Sequence, residues 1–304
     1  MTDTLIVDVS GSRIDAYLAS SAAGLSRSYA STLIGEGRIL VNGSLCKPSL
    51  KVKSGDVIEI IRKEPVMTDI LPENIPLDIR YEDNDLLVIN KPQGMVVHPA
   101  PGHYTGTLVH ALLHYCEGQL SDINGVIRPG IIHRIDKDTS GLLIAVKNND
   151  IHEKMAKLIS SHEVVRRYRA VVHGVISVDK GTVDAPIGRS GSDRRRMAVT
   201  SSGKPSVSHF TVGERFMDAT DLSLLLETGR THQIRSHMAF IGHPIIGDPV
   251  YAGKRKTYGL AGQALHSTEI TFFHPVTGKE IHVECELPPY YEDLLMTLRA
   301  KSNE

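Results

Sequence analysis

Residues 130–146 read GIIHRIDKDTSGLLIAV, with five ionisable side chains placed between two apolar runs. Short apolar runs are typical of buried β-strands, and a protein core rarely accepts so much charge between them. The two runs therefore attach the intervening loop to a sheet at both ends. A carboxylate held in that way, Asp136 or Asp138, is either a cap for the turn or a positioned reactive group.

The surrounding chain mixes strand-like runs with helical spacing. LLVIN (86–90) and GLLIAVKN (141–148) predict strands, whereas residues 149–162 have the apolar spacing of a helix. Residues 206–216 and 220–229 predict neighbouring strands with no helix between them. Such pairs favour an α+β fold, with a mixed and largely antiparallel sheet flanked by helices, over a doubly wound parallel sheet.

The N-terminal part of the chain has the pattern of a separate module. Helical spacing is followed by the dipeptide Asn42-Gly43, a strong hairpin signal, and then by LKVKSGDVIEII (50–61), which predicts a further strand–turn–strand. The next stretch carries three prolines and no clear period, as linkers do. We therefore predict a first domain at residues 1–61, a linker at 62–78 and a second domain at 79–304.

The overall charge predicts no particular partner, because 34 Lys and Arg are balanced by 35 Asp and Glu. Locally, residues 189–205 hold five basic side chains and one acid. The N-terminal module carries Arg27, Arg38 and Lys51 on predicted turns and element ends. Each of these basic groups fits either a nucleic-acid contact or a solvated surface.

Several classes of protein are disfavoured by what the sequence lacks. The start has no apolar signal core, and no apolar run approaches the ~18 residues that span a bilayer. The three cysteines are scattered and form no CxxC pair, as in reduced intracellular proteins. Fifteen histidines include no HExxH and no Cys/His ligand spacing. We therefore expect a soluble cytoplasmic protein without a metal centre.

Two further clusters place polar residues where a core would favour apolar ones. GRTHQIRSH (229–237) puts Arg235 on the first turns of a helix, and a partly buried arginine needs a carboxylate. Asp136 and Asp138 are both candidates for that partner. In RYRAVV, Tyr168 is either an aromatic platform with a polar tip or an ordinary core residue.

Taken together, these motifs resemble those of the RluA family of pseudouridine synthases, in particular its RluD-like branch acting on large-subunit ribosomal RNA. The family element H-R-L-D-x-x-T-S-G is HRIDKDTSG here, with Ile135 where leucine is usual. K-x-Y-x-A is RRYRA, with Arg166 at the lysine position, and R-x-H-Q-[IL]-R-x-H is RTHQIRSH. NKPQGMVVHPAPGH (90–103) matches a further family segment. The N-terminal module is similar to the RNA-binding domain named after ribosomal protein S-four.

The resemblance implies a reaction and a set of roles. It makes Asp136 the catalytic aspartate, Tyr168 the active-site tyrosine and Arg235 the partner of the carboxylate. Arg134 would fill the space that the target base leaves. The isomerisation of uridine to pseudouridine would need no cofactor. RNA contacts are expected from the basic residues Arg27, Arg38, Lys51, Arg194, Arg195 and Arg196.

Three other functions stay open at this stage. Transfer RNA is the alternative substrate to ribosomal RNA or an assembling large ribosomal subunit. A non-catalytic RNA-binding factor in ribosome assembly would keep the fold without forming product. A nucleoside hydrolase would use the same aspartate and release free uracil.

Overall fold

The computed structural model describes residues 2–21, 27–61, 70–100, 102–123, 128–191, 193 and 196–302. The chain divides into two compact units, Met1–Met67 and Thr68–Glu304. The division falls inside the segment interpreted as a linker, of which residues 62–69 lie outside the described part. The limits 1–61, 62–78 and 79–304 remain our proposal for the domains.

The first unit is a small α/β module with its own apolar core. In chain order its elements are β1 (Thr2–Ile6), α1 (Ile14–Ser20), α2 (Arg27–Gly35), β2 (Ile39–Val41), β3 (Ser44–Leu45) and β4 (Val57–Ile61). Within the described residues its sheet has the order β1-β4-β2-β3, all antiparallel. Asn42 and Gly43 both have positive φ, 51° and 73°, as a two-residue hairpin requires. The strand expected at residues 50–53 is wrong, because Lys51 makes only an isolated bridge with Arg13.

The second unit contains the remaining elements. They are β5 (Ile79–Glu82), β6 (Leu86–Lys91), α3 (Leu108–Tyr115), β7 (Ser140–Val146), α4 (Asn149–Ser160), β8 (Val165–His173), β9 (Lys180–Asp184), β10 (Ile187–Arg189), β11 (Met197–Val199), β12 (Val207–Arg215), β13 (Ala219–Leu226), α5 (Gln233–Phe240), β14 (Leu265–Phe273), β15 (Glu280–Glu284) and α6 (Pro289–Ser302). The helix α6 is absent from the predicted elements, although its buried Tyr291, Leu294, Leu295 and Leu298 have helical spacing.

One large sheet organises this unit. Over the described residues its order is β5-β6-β7-β14-β8-β13-β12-β9, with β15 paired to β14. Among the described strands of this sheet, the β7–β14 pairing is parallel and the other pairings are antiparallel. A separate hairpin, β10–β11, carries the basic stretch between its strands. The prediction of an α+β fold with a mixed, largely antiparallel sheet is confirmed.

The close approach of β7 and β14 depends on one glycine. Gly141 has φ +106°, and a Cβ atom there would lie 2.2 Å from the carbonyl oxygen of Ser267. All seven residues of β7 are buried, so the strand anchors the loop that precedes it. No helix of the described chain has the length and apolar character that a membrane span requires.

Candidate active site

The loop before β7 presents one of its two aspartates to a pocket. Asp136 follows the buried Ile135, and its carbonyl accepts a hydrogen bond from the Thr139 N–H at 3.1 Å. Its side chain lies on the wall of a pocket of about 510 Å³ and is 16% exposed. Asp138 does not line that pocket. This geometry separates two carboxylates between which the loop sequence could not choose.

Arg235 joins Asp136 to a second, fully buried carboxylate. From the first turn of α5 its Nη1 donates to Asp136 Oδ2 at 2.8 Å. Its Nε and Nη2 donate to the two oxygens of Asp248 at 2.7 and 3.0 Å. Burial alone would lower the pKa of Arg235, but the hydrogen bonds and charges of Asp248 and Asp136 raise it above its ordinary value. The guanidinium is therefore permanently charged and held in one plane.

Asp248 is a site residue that the sequence analysis missed. Besides Arg235, its Oδ1 accepts hydrogen bonds from the backbone N–H groups of Val250 and Tyr251, at 2.8 and 3.0 Å. It lies in GHPIIGDPVY, where an aspartate in a Gly- and Pro-rich turn gives no sign of its distant partner. Its part is to fix the arginine that in turn orients Asp136.

Tyr168 supplies an aromatic wall to the same pocket. It lies on the central strand β8, is 6% exposed, and alternates with the solvent-exposed Arg167. Burial is the main cause that raises the pKa of Tyr168, and the nearby Arg166 charge only partly opposes it. The phenol is therefore protonated near neutral pH, with its ring held by the sheet.

His232 lies beside the Asp136 carboxylate and lines the same pocket. It precedes α5 in a left-handed conformation, with φ 55°. Its Nε2 is 3.9 Å from Asp136 Oδ1, and its Nδ1 is 3.1 Å from the Tyr251 hydroxyl. Burial is the main cause that lowers the pKa of His232, so the ring is neutral at pH 7.

Arg134 also lines the pocket. Its side chain is exposed, and Nη1 is 3.4 Å from Nε2 of the buried His98. Burial, and then the charges of Arg134 and Arg128, lower the pKa of His98 to about 4. The neutral imidazole can therefore accept a hydrogen bond from Arg134 and orient it.

The remaining predicted RNA-binding residues fall in two places. Arg196, at the start of β11, has its guanidinium 5.0 Å from the ring centre of Tyr251, whereas Arg194 and Arg195 lie outside the described residues. In the first unit, Arg27 pairs with Asp15 and Arg38 with Glu36, at 3.2 and 3.6 Å, and Lys51 is exposed.

Within the described residues, a single group of acidic and histidine side chains has the spacing of a metal site. It consists of Asp83, Asp85 and His274, away from the pocket. The Nδ1 of His274 accepts hydrogen bonds from two backbone N–H groups, so the neutral ring carries its proton on Nε2. That nitrogen lies 3.3 and 3.7 Å from the two carboxylates, and because it carries the proton it is not available as a metal ligand in this tautomer.

Known proteins share both units. A family model described as RNA pseudouridylate synthase matches residues 85–240, and one described as S4 domain matches residues 12–58. The chain is also 52% identical over 287 residues to a protein of Bacillus subtilis (strain 168), named Uncharacterized RNA pseudouridine synthase YlyB, covering 94% of both chains. The chain belongs to the RNA pseudouridylate synthase family. The clusters around Asp136, Tyr168 and Arg235 therefore lie in an RNA-modifying enzyme.

Two further comparisons extend this result. This synthase is 44% identical over 296 residues to a protein of Zymomonas mobilis named Ribosomal large subunit pseudouridine synthase D, covering 94% of this chain and 93% of the relative. A solved structure, Human RNA Pseudouridylate Synthase Domain Containing 1, superposes with a TM-score of 0.60 at 24% identity. It covers 75% of this chain and 96% of the human one, and supports the fold of the second unit.

Proposed function

We propose that this synthase converts uridines of large-subunit ribosomal RNA to pseudouridine, with Asp136 as the catalytic carboxylate. The observation that carries the proposal is the pairing of Asp136 with Arg235 at 2.8 Å on the wall of a pocket that also contains Tyr168. Relatives over 40% identical along nearly the whole chain are named Ribosomal large subunit pseudouridine synthase D. The S4 domain match supports an RNA rather than a free nucleoside as substrate.

The reaction requires a positioned carboxylate and no change in atom count. The C1′–N1 bond of uridine breaks, its electron pair leaves with the uracil, and the base turns. A new C1′–C5 bond then forms, C5 loses its proton, and N1 gains one. Asp136 either attacks C1′ directly, and the resulting C1′–O bond breaks as the C1′–C5 bond forms, or removes the 2′ proton to give a glycal and returns that proton to C2′ as the C1′–C5 bond forms. Both routes need an ionised carboxylate shielded from water, and both leave the atoms in balance.

The neighbours of Asp136 have complementary roles. Arg235 pairs with the charge of the Asp136 carboxylate and orients it through the 2.8 Å hydrogen bond. The ring of Tyr168 stacks on the base, and its hydroxyl is placed to take part in removal of the C5 proton. Arg134 enters the stack that the flipped nucleotide leaves, which offsets part of the cost of unstacking, a few kcal/mol.

RNA contacts outside the pocket supply affinity. Arg196 immediately precedes β11, and Arg194 and Arg195, which lie outside the described residues, precede it in the sequence; these cations can meet phosphates without reading sequence. Arg27, Arg38 and Lys51 provide a second basic set on the S4-type unit. The natural substrate is ribosomal RNA, free or within an assembling large subunit.

The decisive experiment maps pseudouridine by carbodiimide-dependent stops of reverse transcription. Unmodified large-subunit ribosomal RNA and bulk transfer RNA are each incubated with the wild type, with Asp136→Asn, and with Asp138→Asn as a matched control on the same loop. We expect stops in ribosomal RNA with the wild type and Asp138→Asn, and none with Asp136→Asn, which still binds RNA.

Other outcomes separate the parts of the proposal. Normal product with Asp136→Asn would show that the catalytic assignment is wrong. Stops confined to transfer RNA would support the proposed reaction but identify transfer RNA as the substrate. Binding without product from any protein and either RNA would favour a non-catalytic assembly factor, and release of free uracil would identify a hydrolase.

A further inference from the structure

Arg166, another arginine of the pocket, has no counter-ion among the described residues. Arg166 lies on β8 two residues before Tyr168, so both side chains point to the same face of the sheet. It is 4% exposed, and it lines the same pocket as Asp136. Unlike Arg235, however, it pairs with no carboxylate in the part of the chain that the structure describes.

The guanidinium of Arg166 is buried without an acceptor. Its Nε has no hydrogen-bond partner, and no described residue forms a hydrogen bond or ion pair with the group. The other buried cations near the site are fully engaged. Lys91, for example, donates to the carbonyls of Pro92, Met95 and Lys137 at 2.8, 2.9 and 3.1 Å. Arg166 therefore differs from Lys91 and Arg235, whose charged groups both have hydrogen-bond acceptors.

The backbone around Arg166 is shaped to hold it. A Cβ atom at Gly229 would lie 2.9 Å from Nη1 of Arg166, so a larger residue there would displace the end of the guanidinium. His133, on the other side, does not share the charge. Burial, and then the Arg166 charge, lower the pKa of His133 to about 3, so its ring is neutral. A buried cation without a partner weakens a fold, which points to an anionic ligand that completes the site.

We propose that Arg166 is a catalytic residue that stabilises the uracil anion formed when the C1′–N1 bond breaks. This inference rests on the proposed function. The electron pair of the broken bond stays on N1, and its negative charge spreads onto the O2 and O4 oxygens. A planar guanidinium with free N–H donors matches such an oxygen and strengthens its contact as charge develops. The charge disappears when C5 bonds to C1′, loses its proton, and N1 is protonated.

A backbone phosphate is the alternative anion for the same donor. The position of Arg166 favours the base, because it lies on the wall that also carries the Tyr168 ring. Arg134, by contrast, is exposed and accessible to the RNA phosphate backbone. The two anions differ in when they appear, since a phosphate is present throughout binding and the uracil anion only during the reaction.

The test compares Arg166→Met and Arg166→Lys with Arg167→Met. Arg167 is the next residue on β8, with a side chain 45% exposed and paired to Glu269 at 3.2 Å. Three quantities are measured for each full-length variant: the melting temperature, the Kd for ribosomal RNA at several salt concentrations, and the single-turnover rate. The rate follows release of tritium from C5 of labelled uridine, because that hydrogen leaves during the isomerisation.

We expect Arg166→Met to lose roughly 100- to 1,000-fold in single-turnover rate, as with loss of one donor to a developing anion. Its Kd should stay within about twofold of wild type, and its melting temperature should not fall, because an unpaired buried charge is removed. Arg166→Lys should recover at least about tenfold of the lost rate, because it restores the cation. Arg167→Met should react at the normal rate.

Three results would overturn the inference. A weaker Kd with a log Kd–log salt slope reduced by about one would identify a phosphate contact. A lower melting temperature with no rescue by lysine would identify a structural residue. If Arg166→Met reacts at the normal rate while Asp136→Asn is inactive, the role given to Arg166 is wrong and the proposed function stands. If Asp136→Asn is normally active, the proposed function itself is wrong.

Discussion

Removing the negative charge of Asp248, the buried partner of Arg235, should lower both the stability of the fold and the rate of the reaction. Asp248 is fully buried and holds two of the guanidinium nitrogens at 2.7 and 3.0 Å. Loss of one partner from a buried ion pair costs about 3–5 kcal/mol, and we expect ~3 kcal/mol for Asp248→Asn because Asp136 still pairs with the arginine. For a unit of this size, that loss lowers the melting temperature by roughly 6–12 °C.

Asp248→Asn also removes contacts that fix the orientation of the Arg235 guanidinium. With its Nε and Nη2 no longer held, Arg235 can rotate and draw the Asp136 carboxylate away from its reactive position. A misplacement of this kind costs on the order of 100-fold in rate. Calorimetry measures the melting temperature, and tritium release from C5 measures the single-turnover rate.

A double-mutant cycle isolates the coupling between the two residues. Arg235→Gln combined with Asp248→Asn removes both charges. The melting temperature of the double variant should therefore be no lower than that of the less stable single variant. If Asp248→Asn melts within about 1 °C of wild type and reacts at the normal rate, Asp248 has no part in holding the site.

Three more predictions concern pH, packing and salt. Burial is the main cause that lowers the pKa of His98, His133 and His266, to about 4, 3 and 4. Between pH 6.5 and 4 the unfolded chain therefore binds more protons than the folded protein. The free energy of unfolding has its full value above pH 6.5 and decreases as the pH falls through that range. The urea midpoint should drop at pH 5, with His266 alone contributing about 2 kcal/mol, and an unchanged midpoint would contradict this. Gly141→Ala should cost more than about 3 kcal/mol by urea unfolding, because the new Cβ would overlap the Ser267 backbone. Gly278→Ala, at φ +68° with no atom within 4 Å, is its control and should cost about 1 kcal/mol. Arg196→Ala should lower the log–log salt slope of RNA binding by about one, and an unchanged slope would place Arg196 outside the RNA contact.

Local patterns carried the predictions that the structure supports. The apolar run after HRIDKDTSG is β7, and the helical spacing in HQIRSHMAF is α5, because periodic burial is a property of neighbouring residues. The need of a buried arginine for a carboxylate predicted a partner for Arg235. The choice between Asp136 and Asp138 required the direction of each side chain, which the loop sequence does not encode.

The missed features depend on contacts between distant segments. Asp248 contacts Arg235 from a turn that shows no periodic burial. Arg166 is recognised only in the folded structure, where its buried Nε has no hydrogen-bond acceptor. The strand expected at residues 50–53 has alternating residues and exchanges backbone hydrogen bonds with residues 11–14, but the contact stops at a single bridge, between Lys51 and Arg13. Alternation does not show how far such a pairing extends.

The position of β14 in the sheet has a consequence for how the enzyme is made. This strand, Leu265–Phe273, comes late in the chain yet lies between β7 and β8, and no described pairing joins those two strands directly. Asp136 leads into β7 and Tyr168 belongs to β8, so the two halves of the site are united by a segment that leaves the ribosome after both. Pairings between such distant segments form slowly, and partly made chains expose unpaired strand edges. The nascent chain should therefore stay inactive until β14 has emerged and inserted, whatever the order in which its earlier strands fold.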